Sequence, residues 1–169
     1  MIVIRQADAP VDFDAARRLF REYADWLNED LCFQGFDAEL AGLPGDYAPP
    51  RGRLLLAGPH DDPFGCIALR PLVMPGSPHP HATAEVKRLY VQPRGRGKRV
   101  GSTLARTLID EARTIGYRML KLDTLGRMMA ARRLYADLGF VECAAYYVNP
   151  LAQPVYMELD LARVASQPR

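Results

Sequence analysis

The sequence predicts a mixed α/β domain whose sheet begins as antiparallel strands and carries a central parallel βαβ unit. Three observations predict it. Residues 83–91 read as a strand, 100–115 as an amphipathic helix and 118–124 as the next strand, a connection that forces its two strands to run parallel. Residues 53–57 and 64–70 are apolar runs separated by the turn-rich Pro59-His-Asp-Asp-Pro63, the pattern of a hairpin. Finally, 169 residues, 49% of them apolar and 25% charged, suffice for one full core, and no repeat or internal boundary breaks the chain. Residues 1–169 are therefore expected to form a single soluble domain.

The elements follow in order. Residues 2–5 are a short β-type run, and residues 12–28 place Phe13, Ala16, Leu19, Phe20, Tyr23 and Leu27 close to helical spacing. Residues 30–47 have apolar positions at mixed spacing interrupted by Gly35 and Gly42, which predicts a short second helix flanked by loops and ended at Pro49-Pro50. After the hairpin comes a Pro-rich surface loop, residues 71–81, and then the third antiparallel strand, 83–91. Val100, Leu104, Leu108, Ala112 and Ile115 mark one helical face that Gly116 stops. A helix over 128–138 ends at Gly139, and residues 140–143 and 155–161 are the closing strands.

Composition excludes several classes. The longest apolar runs fall far short of the roughly 20 residues a membrane-spanning helix needs, and the N-terminus lacks a signal-peptide pattern, so a cytoplasmic protein without membrane contact is expected. Cys32, Cys66 and Cys143 are odd in number and widely spaced, which suits reduced, buried thiols rather than disulfides or a zinc site. His79-Pro-His81 has no third ligand in range, so no metal is assigned.

The charge is concentrated. Lys87, Arg88, Arg94, Arg96, Lys98 and Arg99 put six cations into thirteen residues of a chain whose formal net charge is only +2. They surround a loop with Gly95, Gly97 and Gly101 that leads from a strand into a helix, where unpaired backbone N–H groups and the helix dipole favour an anion such as a pyrophosphate. The P-loop pattern has no match, and the dinucleotide fingerprint fails because the last glycine falls one residue late. A solvated basic turn or an RNA-binding patch is the alternative. RNA binding would normally bring exposed aromatics among the basic residues or a basic face over the whole domain, so no nucleic-acid partner is expected.

Arg96-Gly-Lys-Arg-Val-Gly101 resembles the [RQ]-x-x-G-x-[GA] acyl-CoA loop of the GCN5-related N-acetyltransferases, the GNAT superfamily, and Leu134-Tyr-Ala-Asp-Leu-Gly-Phe140 resembles that family's L-Y-x-x-L-G-F signature. The element order is similar over nearly the whole chain. Glu85 to Val91 and Leu122-Asp-Thr124 are similar to bacterial members of undefined substrate. The resemblance implies a GNAT-like fold and an enzyme moving an acetyl group from acetyl-CoA, as co-substrate, to a primary amine by direct attack. It also implies cofactor contacts from Leu89, Tyr90, Val91, Arg96, Gly97, Lys98, Arg99, Val100, Gly101, Ser102, Thr124 and Arg132. Two departures stand out. Arg99 replaces the family's middle glycine, which requires a negative φ and an outward side chain, and Met128 stands where many members have an asparagine.

Glu85 is the candidate general base, matching the base position of histone-type members, because the acceptor ammonium, pKa near ~10.4, must lose a proton. Strand alternation puts Glu85, Lys87, Leu89 and Val91 on one face and Val86, Arg88 and Tyr90 on the other. A core-facing Glu85 would have its pKa raised, with Lys87 opposing the rise. Tyr135 is the candidate acid for the leaving thiolate. The family's oxyanion donor corresponds to the N–H of Leu89 or Tyr90, where a bulge would splay the strand from its parallel neighbour.

Trp26, Phe33, Phe36 and Tyr47 are candidates for the amine pocket or for the core, Tyr146, Tyr147 and Asn149 for the cleft, and Asp25, Glu29 and Asp30 for attracting a cationic acceptor. The acceptor is a small amine, an amino acid derivative or a protein amino group, and the last strands leave room for a homodimer. A non-catalytic acyl-CoA sensor or interaction module is the alternative function.

Overall fold

Burial of both faces of the central strands means that alternation along each strand decides which helical layer a side chain meets. In the computed structural model, which describes residues 1–163, the elements are β1 (Ile4–Gln6), α1 (Pro10–Leu27), α2 (Phe36–Ala41), β2 (Arg53–Ala57), β3 (Gly65–Leu72) and β4 (Thr83–Val91). They continue with α3 (Val100–Ile115), β5 (Met119–Leu125), α4 (Met129–Asp137), β6 (Val141–Glu142) and β7 (Pro154–Asp160). Among the described residues the strands form one sheet in the order β1-β2-β3-β4-β5-β7-β6. Strands β4 and β5 are parallel and the other neighbours antiparallel, so the expected mixed α/β fold with its central βαβ unit is the observed one. Residues 164–169 of the expected domain lie outside the described residues.

Leu55, Ile67, Leu69 and Val86 pack toward α3, where Leu104, Leu108 and Ala112 recur every fourth residue. Leu54, Leu56, Cys66 and Ala68 pack toward α1 against Leu19 and Phe20. Helix α1 begins two residues before the expected start, because Pro10 occupies the first helical position, where its missing N–H costs nothing. The buried Asp12 carboxylate accepts the N–H of Asp8 and of Ala9 and pairs with Arg5 at 2.6 Å. Segment 30–47 is more broken than expected: α2 lies between two single 3₁₀ turns, at Cys32–Gln34 and Gly45–Tyr47.

Strand β4 carries the decisive irregularity. Cys66 of β3 faces Tyr90 and Ala68 faces Lys87, so β4 takes three steps where β3 takes two. The extra step includes Arg88, whose φ is +60°, and the expected alternation breaks there. Glu85 and Lys87 share their face with Arg88 and Tyr90, toward α1 and α2, while Leu89 and Val91 join Val86 on the α3 side. Arg88 is held by Glu39 of α2 at 2.8 Å, with its guanidinium 5.1 Å above the Phe36 ring. Pairing of β4 with β5 runs from Thr83–Met119 to Glu85–Lys121 and stops before the bulge. Beyond that point the two strands part.

The cysteines correct the expectation of buried thiols. Cys66 is buried, but Cys143 is half-buried and Cys32 exposed, because the turn carrying Cys32 sits at the surface.

Candidate functional site

The parting of β4 and β5 opens a cleft lined by Lys87 and Leu89 on one side, Asp123, Thr124 and Leu125 on the other, and Met128 and Tyr135 from the start and body of α4. Tyr135 is buried with its ring 5.5 Å from Phe140, and burial pushes the phenol pKa well up, so it stays protonated at neutral pH. Across the bulge a second cavity opens, lined by Phe33, Gln34, Arg70, Glu85, Lys87 and Tyr146.

Glu85 is 2% exposed. One carboxylate oxygen accepts from Arg70 Nε at 2.8 Å and is ion-paired with its Nη2 at 2.7 Å, and the other accepts from the Tyr146 hydroxyl at 2.7 Å. Burial alone would raise its pKa, but Lys87, Arg70 and the hydrogen bond from Tyr146 outweigh burial and the net shift is downward. The expected rise is thus reversed: to Lys87, two residues along the strand, the fold adds Arg70 of β3, directly opposite Glu85 in the sheet register, and the Tyr146 hydroxyl.

Tyr146 and Tyr147 both reach the site. The Tyr147 hydroxyl donates to Asp123 at 2.5 Å, Asn149 donates to the same oxygen at 2.8 Å, and the Tyr156 hydroxyl fixes the backbone by donating to Tyr147 C=O at 2.7 Å. Of the other aromatics, Phe33 lines the second cavity, Phe36 lies under Arg88 and Tyr47 is core. Trp26 lines neither cavity and packs on Tyr90 beneath Arg96. The acidic residues near Trp26 are not in either cavity: Glu29 pairs with Arg127, and Asp30 accepts the Cys32 N–H.

At the head of α3, Gly97 has φ +74°, and the first bond of the helix is Thr103 N–H to Arg99 C=O at 3.0 Å. The N–H groups of Val100, Gly101 and Ser102 precede it, while the Val100 side chain is in the core. The cluster of six cations is dispersed by the fold. Lys87 donates to Gln34 in the turn before α2, Arg88 pairs with Glu39 of α2, Arg94 is tied to Asp62, and Arg96 donates to Val91 C=O. Lys98 and Arg99 remain exposed at the loop. Gly95 packs tightly rather than leaving room for a ligand, since a Cβ there would come within 2.7 Å of the Phe64 ring.

Three expected contacts are placed elsewhere. The Tyr90 side chain turns away from the cleft onto Tyr23 and Trp26, because the bulge reverses its facing. Arg132 donates to Gly126 C=O and pairs with Glu142 at 3.0 Å, so it braces β6 rather than the loop. The Ser102 hydroxyl folds back onto Arg99 C=O at 3.0 Å. Arg106 and Arg133 share a surface groove with Arg99 and Ser102. Sequence reasoning missed both, although Arg106 is four residues after Ser102 and Arg133 falls on the α4 face with Ala130 and Asp137, a legible helical spacing.

The acetyltransferase (GNAT) family model matches residues 13–140. The chain belongs to the GNAT acetyltransferase family. An uncharacterized N-acetyltransferase of Schizosaccharomyces pombe is 37% identical over 163 residues, covering 96% of each chain, so the likeness is not confined to bacterial members. A crystal structure from Klebsiella pneumoniae, named as a candidate acyl-CoA N-acyltransferase, superposes with a TM-score of 0.71 at 27% identity, over 95% of this chain and 98% of that one. A candidate acetyltransferase from Salmonella typhimurium, solved with acetyl-CoA, gives a TM-score of 0.70 at 23% identity, over 95% of this chain and 94% of that one.

Against the GNAT loop pattern, Arg99 is a strained replacement. Its φ of +60° is left-handed, contrary to the negative φ expected, because the position caps α3 in the conformation that the family's glycine adopts freely. Replacing Arg99 with Gly is expected to raise stability by about 1 kcal/mol, or about 2–4 °C in Tm for a domain of this size. Thermal unfolding of the two proteins measures it, and a lower Tm for the variant contradicts the strain.

Proposed function

We propose that the protein is an N-acetyltransferase that moves the acetyl group of acetyl-CoA to a primary amine by direct attack. The observation that carries this reading is the cleft between β4 and β5, which opens directly after the Glu85–Lys121 pair and is walled by the bulge on one side and Tyr135 on the other.

The residues present fit a coenzyme A thioester, which when bound supplies an activated acetyl group and a thiolate leaving group. The N–H groups of Val100, Gly101 and Ser102 suit its pyrophosphate, and Lys98, Arg99, Arg106 and Arg133 suit its outer phosphate. Thr124, Met128 and Leu89 would flank the arm in the cleft. The apolar thioether of Met128 offers packing there in place of a polar contact.

In this reading the acceptor ammonium releases one proton to solvent, the nitrogen forms a bond to the acetyl carbon, and the carbon–sulfur bond breaks. The Leu89 or Tyr90 N–H at the bulge is the proposed donor to the carbonyl oxygen as it gains charge. Glu85 takes the second nitrogen proton. A carboxylate held below its ordinary range is a weak base toward a free ammonium, but the nitrogen proton becomes far more acidic once the C–N bond has formed, so Glu85 acts late. Tyr135 donates its proton to the departing sulfur. Both side chains then re-equilibrate with solvent, and one proton is released overall per turnover.

Calorimetric titration with acetyl-CoA, dephospho-CoA and NAD tests the donor side, and amine-dependent thiol release tests transfer. The expected result is saturable acetyl-CoA binding, weaker without the 3′-phosphate and absent for NAD, followed by thiol release. Acetyl-CoA binding without thiol release on any amine would favour an acyl-CoA sensor, and no binding would remove the assignment.

A further inference from the structure

Lys87 sits where the two cavities meet, lining both the cleft and the space in front of Glu85. It is 6% exposed, and its ammonium makes one hydrogen bond, to the neutral Gln34 side chain at 3.0 Å. Among the described residues no carboxylate lies within 4 Å of it. An ammonium has three N–H donors, so two face the cavities without a protein acceptor. Arg70, on the same wall, uses Nε and Nη2 on Glu85 and keeps Nη1 free of any bond to the described residues.

The carboxylates are in the opposite condition. Both Glu85 oxygens accept from Arg70 and Tyr146 and Glu39 is closed by Arg88 and Tyr47, while Asp123, which accepts from Tyr147 and Asn149 on one oxygen, lines the cleft rather than the front cavity. The front cavity therefore offers positive donors in excess and few free acceptors, with Phe33 and Leu72 as its apolar wall. A buried cation with one neutral partner is costly, and an entering anion relieves that cost.

From this we infer that the acceptor is an amine carrying its own carboxylate close to the nitrogen, an amino-acid-like zwitterion. Its carboxylate lies against Lys87 with Arg70 beside it, its amine faces the thioester, and its apolar side chain meets Phe33 and Leu72. A polyamine, or a lysine side chain in a basic peptide, meets two cations in the front cavity and finds its one lining carboxylate, Glu85, already bonded on both oxygens. Burial holds the Lys87 pKa below its ordinary value even though the charges of Glu85 and Asp123 pull it upward. The inference rests on the acetyl-transfer reading above.

The test compares leucine, methionine and phenylalanine with their amides and with the matching decarboxylated amines, and includes spermidine, at saturating acetyl-CoA. Thiol release and the mass of the acetylated product are read for the wild type, Lys87→Met and Lys87→Arg. The wild type is expected to favour the carboxylate member of a pair at least about tenfold in kcat/KM, mainly through KM, a factor typical of one charge-assisted contact. Lys87→Met is expected to abolish that preference and Lys87→Arg to retain its direction. Amides, decarboxylated amines or spermidine reacting as fast as the amino acids, or no amino acid turning over while acetyl-CoA binds, would overturn the inference alone. An unchanged preference in Lys87→Met would do the same. Should Lys87→Met fail to fold, the wild-type comparison still decides. Absence of acetyl-CoA binding removes instead the reading on which the inference rests.

Discussion

Tyr135→Phe is expected to lower kcat by about 10²- to 10⁴-fold, the contribution of a positioned general acid, and to lower kcat/KM by the same factor. The fold gives this variant unusual clarity. The ring is buried against Phe140, and among the described residues its hydroxyl makes no hydrogen bond, so its removal costs the folded state no internal partner. Tm and acetyl-CoA affinity should therefore stay close to wild type while turnover collapses. Steady-state kinetics beside calorimetry separates the two. A kcat within about threefold of wild type would reduce Tyr135 to a core side chain and leave protonation of the thiolate to solvent.

The second large effect is expected at Arg70. Arg70→Met leaves the Glu85 carboxylate, 2% exposed, with Lys87 and Tyr146 but without its paired guanidinium. Breaking a buried ion pair from one side costs roughly 3–5 kcal/mol, and the remaining partners favour the low end, about 3 kcal/mol at pH 7. The pH dependence follows from the direction of the shift. Because the folded pKa of Glu85 lies below its unfolded value of 4.5, its stabilising contribution is complete above that value and is lost as pH falls through the folded pKa. The variant's pKa moves upward, so its penalty is largest at neutral pH and shrinks in acid, first as the variant's carboxyl takes up a proton and then as the wild type's does. Denaturant unfolding at pH 7 and near pH 4 measures this. An equal penalty at both pH values would mean that Arg70 stabilises by packing rather than by charge.

Much of this arrangement was legible in the sequence. The hairpin, the βαβ unit and the helix end at Gly116 follow from local periodicity and turn chemistry, and these fix the sheet order at its centre. Glu85 and Tyr135 were singled out, and both line cavities at the opening between β4 and β5. What was illegible depends on partners distant in the chain. The opposition of Lys87 to a raised Glu85 pKa was legible, but the net fall also needs Arg70, fifteen residues away, and Tyr146, sixty-one away. The dispersal of the basic cluster likewise depends on Glu39, Asp62 and the Val91 carbonyl. A bulge had been expected near residues 89–90, but its effect on side-chain facing had not, since one inserted step reverses every later position and strict alternation cannot reveal it.

That inserted step makes β4 behave as two strands joined out of phase. Before it, Glu85 and Lys87 serve the cavity in front of the sheet, and after it, Leu89 turns back toward the layer that holds α3. On the proposed reading, residues that address the acceptor and residues that address the acyl donor thus sit on one continuous backbone without sharing a face. On that reading, acceptor preference can be rewritten at 87 while the residues leading into the loop keep their orientation, provided Arg88 stays clamped by Glu39. Remove one residue there, and Leu89 and Val91 turn toward α1 and α2 while Tyr90 turns into the α3 layer, exchanging the two duties of the strand.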